Sequence, residues 1–408
     1  MRDGPGGAAA RSGWRRGVLA ALSLLASPAS AAQPEIRIGE VASYSALPTL
    51  AEPYRKGWQM AVDEVNLAGG IDGRTLVVLS RDDAGRPDNA GAAAEALIAR
   101  DHVALLVGGL LSSVGLALAD VARRHRTVYL AGEPPGDAIV WSAGNRYTFR
   151  LRPSTTMQAA MLAEAAAKLP ARTWAAVAPR SDDGQAAVAA FKARLAARRP
   201  DVTWVADQVT APGRIDAPAV AAAVGQARPD AILNAESGPD LLKLLRAGAG
   251  QDLFADRRVV SFLTGESEDL DALKDEAPEG WIVTGYPAAA LRTPENDAFV
   301  RAYQARYNEA PRMGSVLGYA LIKAAAEILR RAGGPGSDRL VAAAEGLAFD
   351  TPLGRAQFRT LDHQSTLGTF VGRTAQRNNH GVMVDFGYRD GARYLPADAE
   401  VRAMRPAD

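Results

Sequence analysis

Hydrophobic residues in this chain form short, nearly continuous runs, which alternate with longer segments whose apolar positions recur every three or four residues. In the first long segment, residues 54–68, four apolar side chains share one face of a predicted helix: Trp58, Ala61, Val62 and Val65. The short runs suit strands buried on both faces; they lie at 35–42, 75–82, 103–109, 127–132, 174–180, 202–209, 230–236, 259–265 and 281–286. This alternation predicts an α/β fold in which helices cover doubly wound parallel sheets.

The order of these elements predicts two lobes with a ligand cleft between them. Residues 146–152, followed by Pro153-Ser154, indicate a strand that leaves one lobe and a capped helix that opens the other. Repeated crossings between lobes form a hinge, whose motion closes a cleft. The predicted parts are an export signal at 1–32, a first lobe at 33–152, a second lobe at 153–286, a return to the first lobe at 287–350, and a return to the second lobe with a C-terminal tail at 351–408.

The N-terminal segment is typical of an export signal. Arg11, Arg15 and Arg16 precede the apolar run 18–26, and the small residues 29–31 offer a cleavage site. The run is too short to cross about 30 Å of hydrocarbon, which takes about 20 helical residues. The pair Arg15-Arg16 leaves twin-arginine export open as an alternative route. We therefore expect the mature protein to be free in an exported compartment.

Composition narrows the function classes. The chain has no cysteine, which excludes a disulfide, a thiolate metal site, a cysteine nucleophile and a lipidated N-terminal cysteine. Loss of residues 1–32 removes four arginines and one aspartate, so the formal net charge falls from +1 to about −2. A net charge so close to zero gives no electrostatic attraction for nucleic acid or anionic lipid. The mature length exceeds what a single core usually supports, which favours two domains.

No catalytic or metal-binding motif is evident. The segment Leu111-Ser112-Ser113-Val114-Gly115 ends like a nucleophile elbow but lacks the first glycine of that strained turn. No two of the four histidines have metal-ligand spacing, and we expect each on the surface or in a loop: His102, His125, His363 and His380. The acidic segments 82–83 and 266–269 lack the spacing of a calcium loop. We therefore predict no enzyme activity, no cofactor and no metal ion.

Ligands of open parallel sheets collect at the carboxyl ends of the strands. The residues that follow the predicted strands are therefore candidate contacts: Ser43 and Tyr44, Ser112 and Ser113, Gly132 and Glu133, Asp182 and Asp183, Glu236 and Ser237, and Glu266. Ser112 is expected to open a helix, so its hydroxyl and the free N–H groups of the first turn suit an anion. A plain N-cap is the alternative.

Several of these candidates are acidic: Glu133, Asp183, Glu236 and Glu266. A desolvated carboxylate that faces an ammonium forms a strong pair, whereas an unpaired buried carboxylate is costly. This favours a zwitterionic or cationic ligand. The alternative is that two or three of the acids stay solvated at the rim, which we expect of Glu236 at least.

Several motifs follow one another in a characteristic order: IRIG (36–39), GWQMAVDEVN (57–66), AGGIDG (68–73), DDA (82–84), VGGLLSS (107–113) and APEGW (277–281). In these stretches the chain resembles the solute-binding proteins of the leucine/isoleucine/valine-binding type, a type I periplasmic component of ABC importers for branched-chain amino acids or amides. The resemblance runs from about residue 35 to residue 388. It implies two doubly wound lobes joined by three crossings, a periplasmic location and a membrane permease as partner.

The resemblance also implies roles for single residues. Ser112 falls on the serine that binds the ligand's carboxylate, the backbone carbonyl of Glu133 on the acceptor for its ammonium, and Glu266 near the acid that pairs with that ammonium. Pro135 stands where amino-acid binders have a hydroxyl residue, and it offers neither hydroxyl nor N–H. Asp183 replaces an aromatic residue. The family's first-lobe disulfide is absent, with Gly85 and Leu111 at its positions. These departures indicate a changed ligand.

We therefore predict an exported receptor that closes on a small polar molecule, an amino acid, an amide or a small organic acid, and delivers it to the permease of an ABC importer. Ser112 and Ser113 are expected to anchor an anionic or carbonyl group. Glu266, with Asp183 or Glu236, is expected to hold a donor and latch the closed form. The remaining predicted ligand contacts are Tyr44 and Glu133. The alternative is a sensor of the same fold that signals through a partner protein.

Overall fold

The computed structural model describes Met1, Gly4 and residues 35–406. The predicted export signal therefore lies outside the described residues, apart from those first two. From residue 35 onward the described residues form one compact unit. Among the described helices, none has the length and apolar character needed to cross a membrane.

The first part of the chain forms a parallel sheet. Its elements are β1 (Ile36–Ala42), α1 (Pro48–Leu67), β2 (Leu76–Asp82), α2 (Pro87–Ala99), β3 (Leu105–Gly108), α3 (Ser112–His125), β4 (Tyr129–Ala131) and β5 (Thr148–Arg150). The strands lie in the order β2-β1-β3-β4-β5, and every pairing is parallel. Ala42 pairs with Asp82 and Gly108 pairs with Ala131, so the carboxyl ends of these strands share one edge.

The second part repeats the alternation around another sheet. Its elements are α4 (Thr155–Ala166), β6 (Thr173–Pro179), α5 (Asp182–Ala196), β7 (Thr203–Thr210), α6 (Ala217–Ala227), β8 (Ala231–Asn234), α7 (Gly238–Ala249), β9 (Arg258–Gly265), α8 (Ser267–Leu273) and β10 (Ile282–Gly285). These five strands are parallel, in the order β10-β9-β8-β6-β7. Glu236 and Glu266 each follow a strand of this sheet, as predicted.

The chain then returns to the first sheet through α9 (Pro294–Tyr307), α10 (Met313–Ala332), α11 (Ser337–Ala344) and a hairpin of β11 (Ala348–Thr351) and β12 (Gly354–Gln357). Helix α10 packs closely along α1. Glycine permits this close approach, because a Cβ on Gly57 would clash with the carbonyl of Ser315, and one on Gly318 with that of Tyr54. We call the five-stranded sheet with its helices the first lobe.

Alternate side chains of β3 show that helices cover both faces of the first sheet. Leu105 and Val107 belong to a hydrophobic cluster with residues of α1 and α10, whereas Leu106 belongs to a cluster with residues of α2 and α3. Successive side chains of a strand point to opposite faces, so a strand covered on both sides reads as a continuous apolar run.

The last part of the chain extends the other sheet, which we call the second lobe. Strands β13 (Thr369–Arg377) and β14 (His380–Arg389) complete a seven-stranded sheet, and α12 (Asp398–Met404) follows. Both new strands run antiparallel to their neighbours, so they add an antiparallel edge to the predicted parallel sheet. Asn378 and Asn379 both have positive φ, as in the two-residue turns that join antiparallel strands.

Three connections cross between the two sheets: β5 to α4, β10 to α9, and β12 to β13. The first and third run side by side, because Arg150 bridges to Gln364 and the N–H of Ser365 donates to the carbonyl of Arg150 at 2.9 Å. The predicted boundaries at 152 and 286 fall within the first two connections, and residue 351 lies in the β11–β12 hairpin. The boundaries of the lobes stay a prediction.

Candidate functional site

The loop that follows β4, residues 133–137, lies where the two lobes meet, and we call it the 133–137 loop. The carbonyl oxygen of Pro135 accepts the backbone N–H of Thr155 at 2.9 Å. The carboxylate of Asp137 accepts the backbone N–H of Thr156 at 3.1 Å and its hydroxyl at 2.7 Å. Both threonines open α4 of the second lobe. The loop therefore links strand ends of the first lobe to a helix of the second.

Ser112 and Asp183 meet at this loop from opposite lobes. The hydroxyl of Ser112 accepts the N–H of Gly136 at 2.9 Å, and the carboxylate of Asp183, in the first turn of α5, lies near it. Burial raises the pKa of Asp183, and the nearby hydroxyl of Ser112 opposes that rise. A Cβ on Gly136 would lie 2.8 Å from the Cβ of Ser112, so this contact requires glycine.

Ser112 is not the N-cap that the sequence suggested as an alternative. Leu111 caps α3 with an extended backbone and no side-chain bond, and Ser112 is the first residue of the helix. This position turns the Ser112 hydroxyl toward the 133–137 loop.

A buried ion-pair network joins the lobes through a residue that the sequence analysis did not single out. Nη1 of Arg152 lies 2.8 Å from Oε2 of Glu133 and 3.3 Å from the carbonyl oxygen of Glu133. Nη2 lies 2.7 Å from Oε1 of Glu266, which follows β9 in the second lobe. The side chain of Arg152 is only 7% exposed. We call this network of Glu133, Arg152 and Glu266 the Arg152 bridge.

The protonation of the Arg152 bridge depends on its cation. Burial raises the pKa of Glu133 and of Glu266 to about 7, and the charge of Arg152 holds back both rises. Without the guanidinium, both carboxyl groups would lose the partner that favours their charged form. Arg152 therefore favours the charged form of two buried acids that burial alone would keep protonated.

A second set of contacts joins α8 to the start of α10. Oε1 of Glu268 accepts the N–H of Gly314 at 3.0 Å, and burial raises the pKa of Glu268 to about 7. Nearby, Arg312 and Asp271 form an ion pair at 2.9 Å. The second lobe thus contacts the N-terminus of α10 as well as the 133–137 loop.

Arg150 holds the same loop against the hinge. Its guanidinium donates to the carbonyl oxygens of Pro135, at 3.1 Å, and Gly136, and to the side chain of Gln364 in the third connection. The residue is fully buried, and burial lowers its pKa to about 10. Its positive charge stabilises the carbonyl oxygens of Pro135 and Gly136, which both point toward it.

Tyr44 lies in a different cluster, inside the first lobe. Its hydroxyl donates to Oε1 of Glu40 at 3.1 Å and accepts the indole N–H of Trp58 at 3.1 Å. Ser80 donates to Oε2 of Glu40 at 2.6 Å. The guanidinium of Arg55 stacks on the Tyr44 ring. We call Glu40, Tyr44, Trp58 and Ser80 the Glu40 cluster, and its contacts hold Tyr44 within its own lobe.

Two other predicted site residues also lie apart from the Arg152 bridge. Glu236 is 2% exposed and accepts the hydroxyl of Thr210 at 2.6 Å, so the expectation that it stays solvated was wrong. The end of β7, two strands away in the same sheet, supplies the partner that burial requires. Ser113, one residue beyond Ser112, is exposed on α3. Whether Tyr44, Glu236 and Ser113 contact a bound ligand stays a prediction.

His363 lies in the third connection, in keeping with the expected surface or loop position. It is nevertheless buried, stacked on Phe149 with ring centroids 3.9 Å apart. Burial lowers its pKa to about 3. Within residues 35–406, no three His, Cys, Asp or Glu side chains are grouped so that they could hold a metal ion.

A signal for Arg152 was present in the sequence. Arg150 and Arg152 alternate along the segment that leaves the first lobe, immediately before Pro153. Four acids are predicted at strand ends that face the cleft, and a buried acid needs a cation or several donors. The pairing itself joins residues 19 and 114 positions apart, which no local pattern reveals.

The sequence model of a family described as periplasmic binding protein matches residues 35–379. The chain belongs to this family. Among curated relatives, a Leu/Ile/Val-binding protein homolog of Brucella melitensis is 25% identical, over 92% of this chain and 94% of its own length. This periplasmic binding protein is of type I, as predicted, and its family consists of binding proteins rather than enzymes.

Solved structures bear out the fold. A solute-binding protein of an ABC transporter from Rhodopseudomonas palustris, in complex with dihydroxybenzoic acid, has a TM-score of 0.79 at 20% identity and covers 88% of this chain and 98% of its own. A branched-chain amino acid binding protein from Streptococcus pneumoniae, in complex with isoleucine, has a TM-score of 0.76 at 22% identity, covering 87% and 99%. At these identities the likeness concerns the fold.

Proposed function

We propose that this protein is a periplasmic receptor that closes its two lobes on a small polar molecule and delivers it to the permease of an ABC importer. One observation carries the proposal: Asp183, Glu266 and Glu268 of the second lobe all reach first-lobe groups at or beside strand ends. Such contacts exist only when the lobes are together. A ligand that adds contacts between the same edges favours the closed form, which the permease then recognises.

The strand-end residues supply the chemistry for holding a ligand. Ser112 and the first turn of α3 suit a carboxylate or carbonyl oxygen, and Asp183 opposes them from the second lobe. Glu236 and Tyr44 are bound within their own lobes, so we assign them a supporting role. The relatives that bind isoleucine and dihydroxybenzoic acid support a ligand of similar size, an amino acid, an amide or a small organic acid.

A thermal-shift screen of protein purified from the periplasm tests the receptor function. The panel contains aliphatic and aromatic acids, their amides, amino acids and polyamines. At one hundred times Kd a ligand adds about 2.7 kcal/mol, which moves the unfolding midpoint of a protein of this size by a few degrees. Small-angle scattering should show the radius of gyration falling with the same ligand. A panel with no hit would contradict the proposal.

Uptake measurements separate the importer function from a sensor. Proteoliposomes with the cognate permease and ATPase should accumulate the radiolabelled ligand only when the receptor is present. The variant Ser112→Ala should lower uptake in proportion to its loss of affinity, whereas Ser142→Ala, at an exposed position, should not. Tight binding without any receptor-dependent uptake would favour a sensor that signals through a partner protein.

A further inference from the structure

We propose that Arg152 is a built-in counter-ion that takes the place a ligand's ammonium group would need, so that this receptor selects small carboxylic acids or amides that carry no ammonium group. The inference rests on the receptor function proposed above and adds the charge of the ligand to it. Arg152 thereby becomes a residue that determines specificity.

The guanidinium of Arg152 already makes the contacts that an ammonium group would make here. It binds both the carbonyl oxygen and the carboxylate of Glu133, and with its other terminal nitrogen it binds Glu266. The resemblance assigns the ammonium of an amino acid to the backbone carbonyl of Glu133 and to an acid near the position of Glu266. One side chain of the protein occupies both.

The bridge resists displacement by a cationic ligand. Arg152 and its two carboxylates are 7%, 12% and 11% exposed. To bind an ammonium group there, either the guanidinium leaves two buried carboxylates, or two positive charges lie side by side where the dielectric constant is low. Both arrangements are unfavourable. Neither is needed for a ligand that lacks the ammonium group.

Unpaired donors near the bridge call for an acceptor instead. Nε of Arg152 and Nη2 of Arg150 are buried and have no hydrogen-bond acceptor among the described residues. The two arginines alternate on one extended segment, and both reach the 133–137 loop. Buried N–H groups without acceptors are rare in folded proteins. A carboxylate or amide oxygen would supply what they lack.

One acidic oxygen in this region, Oε2 of Glu268, also lacks a partner. The other oxygen of the group binds the N–H of Gly314 at the start of α10, where the helix dipole favours negative charge. Oε2 of Glu268 therefore lacks a donor. The N–H of an amide supplies one without adding a second positive charge beside Arg152, so an amide can satisfy both Glu268 and the arginine donors.

Matched ligand sets test the proposal by isothermal titration. One set is leucine, isocaproic acid and isocaproamide, and another is phenylalanine, hydrocinnamic acid and hydrocinnamamide. Within a set only the amino group or the acid function changes. The full-length processed protein is compared with Arg152→Met, which keeps the length of the side chain and removes its charge, and with Arg152→Lys. The matched control is Arg246→Met, whose arginine is 60% exposed and pairs with Glu276 on the surface.

We expect the unsubstituted protein to bind the acid or amide at least tenfold more tightly than the amino acid. Arg152→Met should reduce this preference at least tenfold, Arg152→Lys should reduce it less because it keeps the charge but not the forked contact, and Arg246→Met should keep it. Equal or tighter binding of the amino acid by the unsubstituted protein overturns the proposal, as does a preference that Arg152→Met leaves unchanged. If no compound binds either protein, the receptor function itself fails.

A measurement without any ligand tests directly whether Glu133 and Glu266 form a cation-binding site. In Arg152→Ala the space between Glu133 and Glu266 is vacated, and millimolar methylguanidinium should raise the unfolding midpoint of this variant by a few degrees. The unsubstituted protein and Arg246→Ala should show no such rise. Equal effects on all three would overturn the assignment of a cation-binding site to these two carboxylates.

Discussion

Two clusters in this protein each stabilise buried carboxyl groups, but they do so with different partners. The Arg152 bridge holds two carboxylates with one guanidinium and joins the lobes. The Glu40 cluster holds one carboxyl group with neutral hydroxyls, at 2.6 Å from Ser80 and 3.1 Å from Tyr44, inside a single lobe. Both clusters are largely buried, so the chemistry of the partner decides what each acid does.

The difference in partners sets the charge of the acids. Burial raises the pKa of Glu40 to about 8, because the hydroxyl donors and the more distant charge of Arg55 only partly offset the loss of solvation. Glu40 therefore keeps its proton at neutral pH and serves the packing of the first lobe. Glu133 and Glu266 face a full positive charge, which links their ionisation to contact between the lobes. Only the Arg152 bridge can respond when the two lobes open and close.

Removal of the cation should produce the largest effect. Arg152→Ala leaves two buried carboxylates without a partner, and such a loss typically costs about 3 to 5 kcal/mol of stability. Urea denaturation at neutral pH measures it. The surface pair of Arg246 provides the comparison, and Arg246→Ala should leave the midpoint nearly unchanged. Similar midpoints for the two variants would show that the bridge does not hold the lobes.

Glu40→Gln should change how stability depends on pH. Glu40 ordinarily titrates near 4.5, and in the folded protein near 8. Its stabilising contribution is complete below the lower value, falls as pH rises because only the unfolded chain loses the proton, and is fully lost above the higher value. The slope is about 1.4 kcal/mol per pH unit.

Glutamine stands in for the protonated acid, so Glu40→Gln should gain on the unsubstituted protein by about 2 to 3 kcal/mol between about pH 5 and about pH 7. Denaturation curves across this range check it. Parallel stability profiles for the two proteins would mean that Glu40 ionises normally and that the contrast between the clusters is not one of charge.

Ser112→Ala tests a neutral contact between the lobes. The change deprives the N–H of Gly136 of its acceptor and Asp183 of a nearby hydroxyl, which should cost about 1 to 3 kcal/mol in ligand affinity. Titration with the best ligand of the screen measures it, against Ser142→Ala as control. If Ser112→Ala binds the ligand as tightly as the control while folding normally, Ser112 is not part of the ligand site.

Tyr44→Phe should have the smallest effect. It removes a hydroxyl that serves Glu40 and Trp58, so we expect a loss of about 1 kcal/mol of stability and unchanged ligand affinity. Calorimetry and titration of the same sample separate the two quantities. A loss of ligand affinity that exceeds the loss of stability would show that Tyr44 contacts the ligand.

The site could be predicted from the sequence only in part. Strand ends were found correctly, and Glu266 and Glu236 follow neighbouring strands β9 and β8 as expected. Their partners differ, because Glu266 meets Arg152 from the first connection whereas Glu236 meets Thr210 of its own lobe. The position of an acid at a sheet edge was predictable, but the group that it faces was not.

The sequence by itself determined the alternation of strands and helices, the edge at which polar residues gather, and the family. These follow from local periodicity and from motifs within short stretches. Tertiary structure alone decided that Arg152 joins Glu133 to Glu266, and that Tyr44 stays with Glu40. Partners so far apart in sequence are chosen by how the lobes pack and by the need of every buried charge for an opposite one.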